Sequence, residues 1–168
     1  MGARIGGLAV VALVMAVGAC SGGASAVEFT APQDHEGTTP FTATGVAVDD
    51  GVVCADGTQS VDHLESMDGA TITDEDWAGM FDTAQAEGGV AEMNAVWTFE
   101  CGDGTGGFTM TFHNRFDFAT FEFEGQQDVG TWDIAEGTGD YGGLSGSGDA
   151  TLDWDAEQIT WSGEVQTG

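Results

Sequence analysis

The chain contains 168 residues, of which 29 are Asp or Glu and only two, Arg4 and Arg115, are basic, so its formal net charge is −27. Nucleic acids and anionic membrane surfaces are bound through Lys and Arg side chains. This charge balance therefore excludes a nucleic-acid-binding protein and a polybasic membrane-surface protein. The length suits one domain, and a hydrophobic content of 41% is enough to form a core.

Residues 1–19 have the pattern of a signal peptide. Arg4 precedes an apolar run over residues 5–17, which is too short to span a bilayer as a helix. The run ends Val-Gly-Ala-Cys20, which resembles the lipobox of bacterial lipoproteins, where the cysteine is lipidated and becomes the first residue of the mature chain. The resemblance implies an exported protein anchored by lipid at the outer face of the membrane or elsewhere in the cell envelope. The alternative is an ordinary secretory signal cleaved after residues 24–26.

Residues 20–40 are predicted to form a flexible tether, which leaves residues 41–168 as the folded domain. The tether begins with Gly, Ser and Ala, and a coil of that length has an r.m.s. reach of roughly 25 Å. Two cysteines remain after Cys20, namely Cys54 and Cys101. Their even number and the oxidising setting of an exported protein favour a disulfide. A metal site is the alternative, although the chain has no C-x-x-C motif and its histidines are scattered.

Apolar and polar residues alternate along most of the chain after Phe41, which is typical of strands with one buried face. Turn-forming residues recur at spacings of about ten residues, so we predict an all-β fold of six or more antiparallel strands, which form either a sandwich or a barrel. The strand signal between residues 56 and 70 is weak. The clearest alternation covers residues 41–48, 94–101, 108–116, 119–124, 131–134, 150–155 and 159–165.

One segment has the period of a helix. Thr73 and Asp76 have the spacing of a capping box, and acidic residues occupy the first turn, where the helix dipole favours them. Gly88 and Gly89 end the pattern. We predict one helix over residues 74–87, lying across the sheet or closing one mouth of the barrel. Its apolar face would consist of Trp77, Met80, Phe81 and Ala84.

Residues 130–148 are rich in glycine and read GTWDIAEGTGDYGGLSGSG. Gly137, Gly139 and Gly142 match the spacing of a dinucleotide-binding fingerprint, but that motif must open a helix, and here another strand pattern follows. We therefore predict no nucleotide and no other cofactor. The segment instead resembles the signature of the allene oxide cyclase barrel-like superfamily, which includes plant allene oxide cyclases, dirigent proteins and secreted bacterial proteins. The turn residues that carry the resemblance are Gly137, Thr138, Gly139, Tyr141, Gly143, Leu144, Gly146 and Gly148.

The resemblance narrows the fold to an antiparallel closed barrel of about eight strands. It also implies a lumen that can hold an apolar small molecule, because the plant members bind fatty-acid epoxides or phenolic radicals. Small barrels are either filled by side chains or hollow, and the abundant aromatic residues favour a filled or nearly filled interior. Fold does not determine function, and no catalytic residue of the family can be placed on this sequence. The candidate lining of a pocket is Trp97, Phe99, Phe108, Met110, Phe112, Phe121, Trp132, Trp154 and Trp161.

Arg115 is the only basic residue that remains once the signal peptide is removed. It is either an anion hook for a substrate carboxylate or, as we favour from its polar strand face, the partner of an outward acid such as Glu122 or Asp117. His113 lies on the same polar face, without an apparent nucleophile or base beside it. The alternation therefore predicts a surface role for both residues.

Other acids are weaker candidates. Glu100 is a general base only if it lies inside the barrel, and a solvated strand face is the simpler interpretation. The acidic clusters at residues 49–51, at residues 74–76 and at Asp103 lack the spacing of an EF-hand. We predict no metal site beyond weak cation binding.

These observations favour an exported, lipid-anchored barrel that binds a small hydrophobic ligand or an envelope component without catalysis. One alternative is an isomerase or cyclase acting on a lipid-like or phenolic substrate in the lumen, and another is a structural or adhesion surface module. A hollow apolar interior favours ligand carriage, and a buried carboxylate with a shifted pKa favours an enzyme. A filled barrel favours a structural or adhesion module that acts through its surface. The acidic charge indicates solvation, as in a saline habitat, and repulsion from anionic lipid.

Overall fold

The computed structural model describes residues 24–33, 37–45 and 53–168. The predicted signal peptide, Cys20 and the acidic cluster at residues 49–51 lie outside these ranges. The elements are β1 (Ser25–Pro32), β2 (Thr38–Thr44), β3 (Asp56–Glu65), β4 (Thr71–Ile72), α1 (Asp74–Glu87), β5 (Val90–Cys101), β6 (Gly106–Asp117), β7 (Gln126–Gly139), β8 (Leu144–Asp153) and β9 (Gln158–Thr167).

Eight of the strands form a closed antiparallel barrel, which confirms the predicted fold class. They follow one another around the barrel in chain order, and β9 closes it by pairing with β1. The short β4 pairs only with the last residues of β3. Closure leaves none of the eight long strands as an open edge.

The alternating sequence explains which side chains fill the barrel. Along β5 every second residue is buried, so that Met93, Trp97 and Phe99 point into the lumen while Thr98 and Glu100 point outward. The acidic residues of the strands thus lie mainly on the outer face, where water solvates them. Alternation and closure together define one core inside the barrel.

The two ends of the barrel differ. One end, called here the helix end, carries α1, the β6–β7 loop and the β8–β9 turn. The opposite glycine-turn end carries the β7–β8 turn, the start of β1 and the end of β9. A disulfide at this end joins Cys54 to Cys101 with a Cα–Cα distance of 5.7 Å, which confirms the predicted pairing.

Helix α1 spans Asp74–Glu87, as predicted, and Thr73 is its N-cap. The Thr73 side chain accepts a hydrogen bond from the Asp76 backbone N–H, and the Asp76 carboxylate accepts one from the Thr73 backbone N–H. Gly88 ends the helix in the left-handed conformation. One detail of the prediction is wrong, because Met80 is 39% exposed. The helix presents only one side to the barrel mouth, and Met80 lies away from that contact.

The tether prediction is wrong for residues 25–32, which form strand β1, and for residues 38–40, which begin strand β2. Val27, Phe29 and Ala31 alternate into the core, and β1 hydrogen-bonds to both β2 and β9. The Gly- and Ser-rich residues before it gave the whole segment the composition of a coil and obscured this alternation. The folded domain therefore begins before residue 41.

The structure of strand β3 explains why the alternation of apolar and polar residues is weak after residue 56. A β-bulge between Val61 and His63 shifts its register against β5, so that the period of two is interrupted. A polar residue, Gln59, is also wholly buried on its inner face, where the side-chain amide donates to Thr39 Oγ1 over 3.1 Å. A strand with an interrupted period and a polar inner residue has little apolar alternation to detect.

Residues 119–124 were predicted as strand and instead belong to the β6–β7 loop. The backbone N–H groups of Thr120 and Phe121 both donate to the carbonyl oxygen of Asp117, which turns the chain at the end of β6. The N–H of Phe118 donates to the Gly89 carbonyl oxygen and fastens the loop beside α1. The alternating phenylalanines therefore pack around a loop rather than across a sheet.

The glycine-rich segment forms the end of β7, a tight turn and the start of β8. Gly139 has a φ of 60°, and a Cβ there would collide with the carbonyl oxygen of Thr105 in the neighbouring turn. Tyr141 and Leu144 are buried against the end of the barrel. The segment is a turn between strands, and no helix opens there, so the phosphate-binding geometry of a dinucleotide fold is absent from it.

Candidate functional site: a cavity at the helix end of the barrel

The lumen is filled by aromatic rings in its glycine-turn half. Phe99 stacks on Phe108 with ring centroids 4.7 Å apart, and Phe29 contacts both rings. Trp132 and Trp161 are also wholly buried there. Phe29 contacts Trp132, and Phe99 contacts Trp161. We call this half, in which the buried rings contact one another closely, the packed half.

The helix half of the lumen is hollow and contains a cavity of about 320 Å³. This volume lies at the lower end of the roughly 300–1,000 Å³ that is typical of small-molecule sites. Strands β3, β5, β6, β7, β8 and β9 supply its walls, and α1 supplies its roof. The described lining residues are Gln33, Val61, Leu64, Trp77, Ala78, Phe81, Asp82, Met93, Ala95, Trp97, Phe112, Asn114, Phe116, Val129, Leu152, Trp154 and Ile159.

Local features of the sequence create this space. Ala95 lies between Met93 and Trp97 on the inner face of β5, and its small side chain leaves the middle of that wall uncovered. The bulge in β3 turns both Val61 and Leu64 toward the lumen, although they are three positions apart. Small side chains and bulges thus widen the barrel where the packed half ends.

Seven aromatic side chains surround the helix end, and we call them the aromatic rim. Within the rim, Phe81 of α1 contacts Phe118 of the β6–β7 loop with centroids 4.8 Å apart, and Phe123 of the loop contacts Trp154 at 5.2 Å. The contacts join the helix, the loop and the end of β8 around the cavity. The rim consists of Trp77, Phe81, Phe116, Phe118, Phe121, Phe123 and Trp154.

Three polar atoms in the cavity lining are buried without a hydrogen-bond partner among the described residues: Trp97 Nε1, Asn114 Oδ1 and Trp154 Nε1. Buried polar atoms are usually paired, and an unpaired one is costly. The two indole groups are donors and the amide oxygen is an acceptor. The cavity is therefore apolar over most of its wall and carries both kinds of unused hydrogen-bonding group.

Charge is nearly absent from the cavity. None of the described lining residues is Lys, Arg or His, and the one acid is Asp82, which is exposed on α1. The net charge of the whole chain is −27. The field around the cavity therefore opposes the entry of anions.

The nine residues predicted to line a pocket are divided between three environments. Trp97, Phe112 and Trp154 line the cavity. Phe121 lies in the aromatic rim, 5.9 Å from Trp154 between ring centroids. Phe99, Phe108, Met110, Trp132 and Trp161 fill the lumen and are buried outside the lining. The interior is thus neither filled nor hollow along its whole length.

Sequence reasoning missed Asn114 as a site residue, although its place among inward apolar residues was visible. It alternates with Phe112 and Phe116 on the inner face of β6, and a lone amide on such a face is a signal for a buried polar contact. It also missed Val61 and Leu64, because the bulge in β3 hides their common direction. Trp77 and Phe81 were assigned to the inner face of α1 without a pocket beside them.

Arg115 and His113 lie on the outer face of the barrel. Arg115 is 51% exposed and pairs with Glu92 at 2.9 Å and Asp117 at 3.4 Å. The expected pairing with Asp117 is confirmed, while Glu92 takes the place of Glu122 as the other partner. The imidazole of His113 lies between Asn94 Oδ1 at 2.7 Å and Asp133 Oδ1 at 3.0 Å. Neither residue reaches the cavity.

The acidic candidates also lie away from the lumen. Glu100 is exposed on the outer face of β5, so it is not a buried base. Asp103 accepts hydrogen bonds from the backbone N–H and hydroxyl of Thr105, and these bonds hold its pKa below the ordinary value. No cluster of three metal-ligating side chains occurs in residues 24–33, 37–45 and 53–168. No helix in the same ranges is long and apolar enough to cross a membrane.

His63 occupies the bulge of β3, directly behind the wall formed by Val61 and Leu64. Its ring nitrogens lie 2.9 Å from Asp62 Oδ2 and 3.0 Å from Glu65 Oε1. These hydrogen bonds, that to Asp62 first, raise the pKa of His63 above its ordinary value.

No protein-family model matches the chain, and no match was found among the curated proteins or the solved structures. The resemblance of the glycine turn to the allene oxide cyclase superfamily therefore stays a resemblance of about twenty residues.

Proposed function

We propose that this protein is an exported, lipid-anchored binding protein that holds a small, largely apolar ligand in the cavity at the helix end of its barrel. The observation that carries the proposal is the contrast between the two halves of one lumen. The packed half is filled by close ring contacts, whereas the helix half keeps about 320 Å³ free beneath α1. Empty apolar volume reduces stability, so a cavity retained beside a well-packed core supports a binding role.

Binding without catalysis is favoured by the chemistry of the wall. None of the described lining residues is Ser, Thr, Cys, Tyr, His or Lys, and Asp82 is exposed at the helix. A general base or nucleophile needs a reactive side chain within hydrogen-bonding distance of the substrate. A cyclase or isomerase in this lumen would have to act through shape and hydrogen bonds alone. A surface or adhesion module would leave the cavity without a use.

The proposed anchor agrees with the geometry of the barrel. Four residues lie between Cys20 and Ser25, the first residue of β1, and the five steps along the chain from one to the other span at most about 18 Å. Since β1 begins at the glycine-turn end, that end would face the lipid and the cavity would face away from it. Cleavage after Ala26 would instead remove Ser25 and Ala26, which pair with Val165 and Glu164 of β9.

The binding proposal is tested with the neutral fluorescent probe N-phenyl-1-naphthylamine, titrated into the purified protein. We expect saturable binding of one probe. Ala95→Phe puts a ring into the middle of the cavity and should weaken binding by at least about tenfold, because the ring occupies the ligand volume. Ala135→Phe adds the same ring at an exposed outer position of β7 and serves as the matched control.

Two results would contradict the proposal. One is the absence of saturable binding to a protein whose circular dichroism spectrum is that of a folded β protein. The other is equal probe affinity of the Ala95→Phe and Ala135→Phe variants, which would place the probe outside the cavity. A melting temperature measured for each variant shows whether any loss of binding reflects unfolding.

A further inference from the structure

We propose, on the basis of the binding function above, that the cavity selects an uncharged ligand with hydroxyl or carbonyl oxygen on an apolar body. The oxygen accepts from the indole N–H group of Trp97 or from that of Trp154, and a hydroxyl also donates to Asn114. The unpartnered atoms of these three residues are the only polar atoms buried in the lining without a partner among the described residues. They define what a ligand must supply.

The register of the strands places the three groups at different depths. Trp97 is opposite Met110, toward the packed half, and Asn114 is opposite Met93, nearer to the helix end. Trp154 directly follows β8 and belongs to the aromatic rim. The deepest and the outermost groups are both donors, so a ligand oxygen can be bonded at either end of the cavity. A ligand with two oxygens could use both donors.

An anionic ligand does not suit this site. A carboxylate would accept from the indoles, but it would enter a low-dielectric space with no cation among the described lining residues. Arg115 is unavailable because it lies on the outer face between Glu92 and Asp117. The exposed Asp82 and the net charge of −27 oppose an anion further.

A cationic ligand fails for a different reason. An ammonium group has donors only, so it leaves Trp97 Nε1 and Trp154 Nε1 without an acceptor. The surrounding rings could attract its charge, yet both indole donors would stay unpaired. An uncharged oxygen satisfies the donors and carries no charge into the apolar space.

Enclosed water is the competing explanation, since a water molecule can also pair buried polar groups. If water molecules alone pair the polar atoms of the three residues, an oxygen on the ligand does not increase its affinity for the cavity. Selectivity between a ligand with a hydroxyl and an isostere without one therefore distinguishes the two explanations.

The test compares three probes of one shape, 2-naphthol, 2-methylnaphthalene and 2-naphthoate, by equilibrium dialysis against the full-length protein. We expect 2-naphthol to bind about tenfold more tightly than 2-methylnaphthalene, the ratio expected for one net hydrogen bond. We expect 2-naphthoate to bind at least about a hundredfold more weakly than 2-naphthol, because its charge is unpaired. The dialysis is run at a pH where the naphthol is neutral and the naphthoate is ionised.

Conservative variants connect this selectivity to the three residues. Asn114→Leu, Trp97→Phe and Trp154→Phe each remove the hydrogen-bonding atoms of one residue. The naphthol-to-methylnaphthalene ratio should move toward one in Asn114→Leu and in whichever Trp→Phe variant removes the indole that the naphthol oxygen uses. Trp161→Phe is the matched control, since its indole Nε1 is also buried without a partner in the described part of the chain, but Trp161 lies outside the cavity lining. The control should keep the wild-type ratio.

The possible outcomes separate this inference from the binding function. Equal binding of 2-naphthol and 2-methylnaphthalene would overturn the inference in favour of enclosed water and leave the binding function intact. Tight binding of 2-naphthoate would overturn the exclusion of anions. A wild-type ratio in all three variants would assign the selectivity to other groups. Failure of all three probes to bind would overturn the binding function itself.

Discussion

Removal of the disulfide gives the largest change in stability that can be calculated from this fold. The bridge joins Cys54 to Cys101 across a sequence separation of 47 residues. On the chain-entropy model, closing a loop of this length in the unfolded state stabilises the folded protein by about 4 kcal/mol at 25 °C. Since both cysteines are buried, the double variant Cys54→Ala and Cys101→Ala avoids placing hydroxyl groups in their sites.

The assay is urea unfolding at equilibrium, followed by tryptophan fluorescence. With a urea m-value of about 2 kcal/mol/M, a loss of about 4 kcal/mol lowers the unfolding midpoint by about 2 M. The reduced wild-type protein serves as the control and should unfold close to the double variant. A loss below about 1 kcal/mol with an unchanged m-value would refute the loop-closure argument.

Three further predictions concern the anchor, the glycine turn and His63. Cys20→Ala should release the protein from membranes, and unchanged membrane association would contradict the lipid anchor. Gly139→Ala should destabilise the barrel by at least about 2 kcal/mol, because the new Cβ meets the Thr105 carbonyl oxygen. Gly125→Ala, at the same positive φ but with open space around it, should cost only about 1 kcal/mol, and equal losses in urea unfolding would contradict the steric argument. Because the pKa of His63 is raised in the folded state, its stabilising effect is complete below pH 6.5 and is lost as pH rises through the folded-state pKa. His63→Gln should therefore reduce the difference in melting temperature between acidic and alkaline buffer, and an unchanged difference would contradict this assignment.

The parts of the fold that were predictable are those encoded by a short, uninterrupted pattern. Helix α1 begins and ends where its capping box and Gly88 indicate, since both signals act within one or two turns. The disulfide followed from the even number of cysteines after Cys20 and from the expectation that the protein is exported. The all-β fold followed from alternation, because strands with one buried face must share a core, whereas the choice of a barrel over a sandwich came from the resemblance of the glycine turn.

The parts that were missed depend on contacts between distant segments. Strand β1 is held by β2 and β9, and its composition alone resembled a tether. The β6–β7 loop alternates like a strand, but the hydrogen bonds from Thr120 and Phe121 to Asp117 turn it. In both segments the tertiary structure overrides the local pattern.

The position of the cavity could not be predicted for a geometric reason. Alternation shows which face of a strand a residue occupies, but not how far along the barrel axis it lies. Trp97 and Phe99 share the inner face of β5, yet the first lines the cavity and the second belongs to the packed half. Depth depends on the register between strands and on the bulges, of which the one in β3 is invisible in the sequence.

The central claim is that the helix half of the lumen binds a small apolar ligand, and the five tryptophans of the chain allow a direct measurement of it. Each indole N–H gives one signal in a proton–nitrogen correlation spectrum, which Trp→Phe variants assign. Trp97 and Trp154 line the cavity and their indole N–H groups have no partner among the described residues, whereas the Trp132 indole donates to the Asp149 carbonyl oxygen at 3.2 Å in the packed half. Titration with 2-naphthol should shift the signals of Trp97 and Trp154 and leave that of Trp132 unchanged. A spectrum that does not change, or one in which Trp132 shifts and the cavity tryptophans do not, would contradict the account.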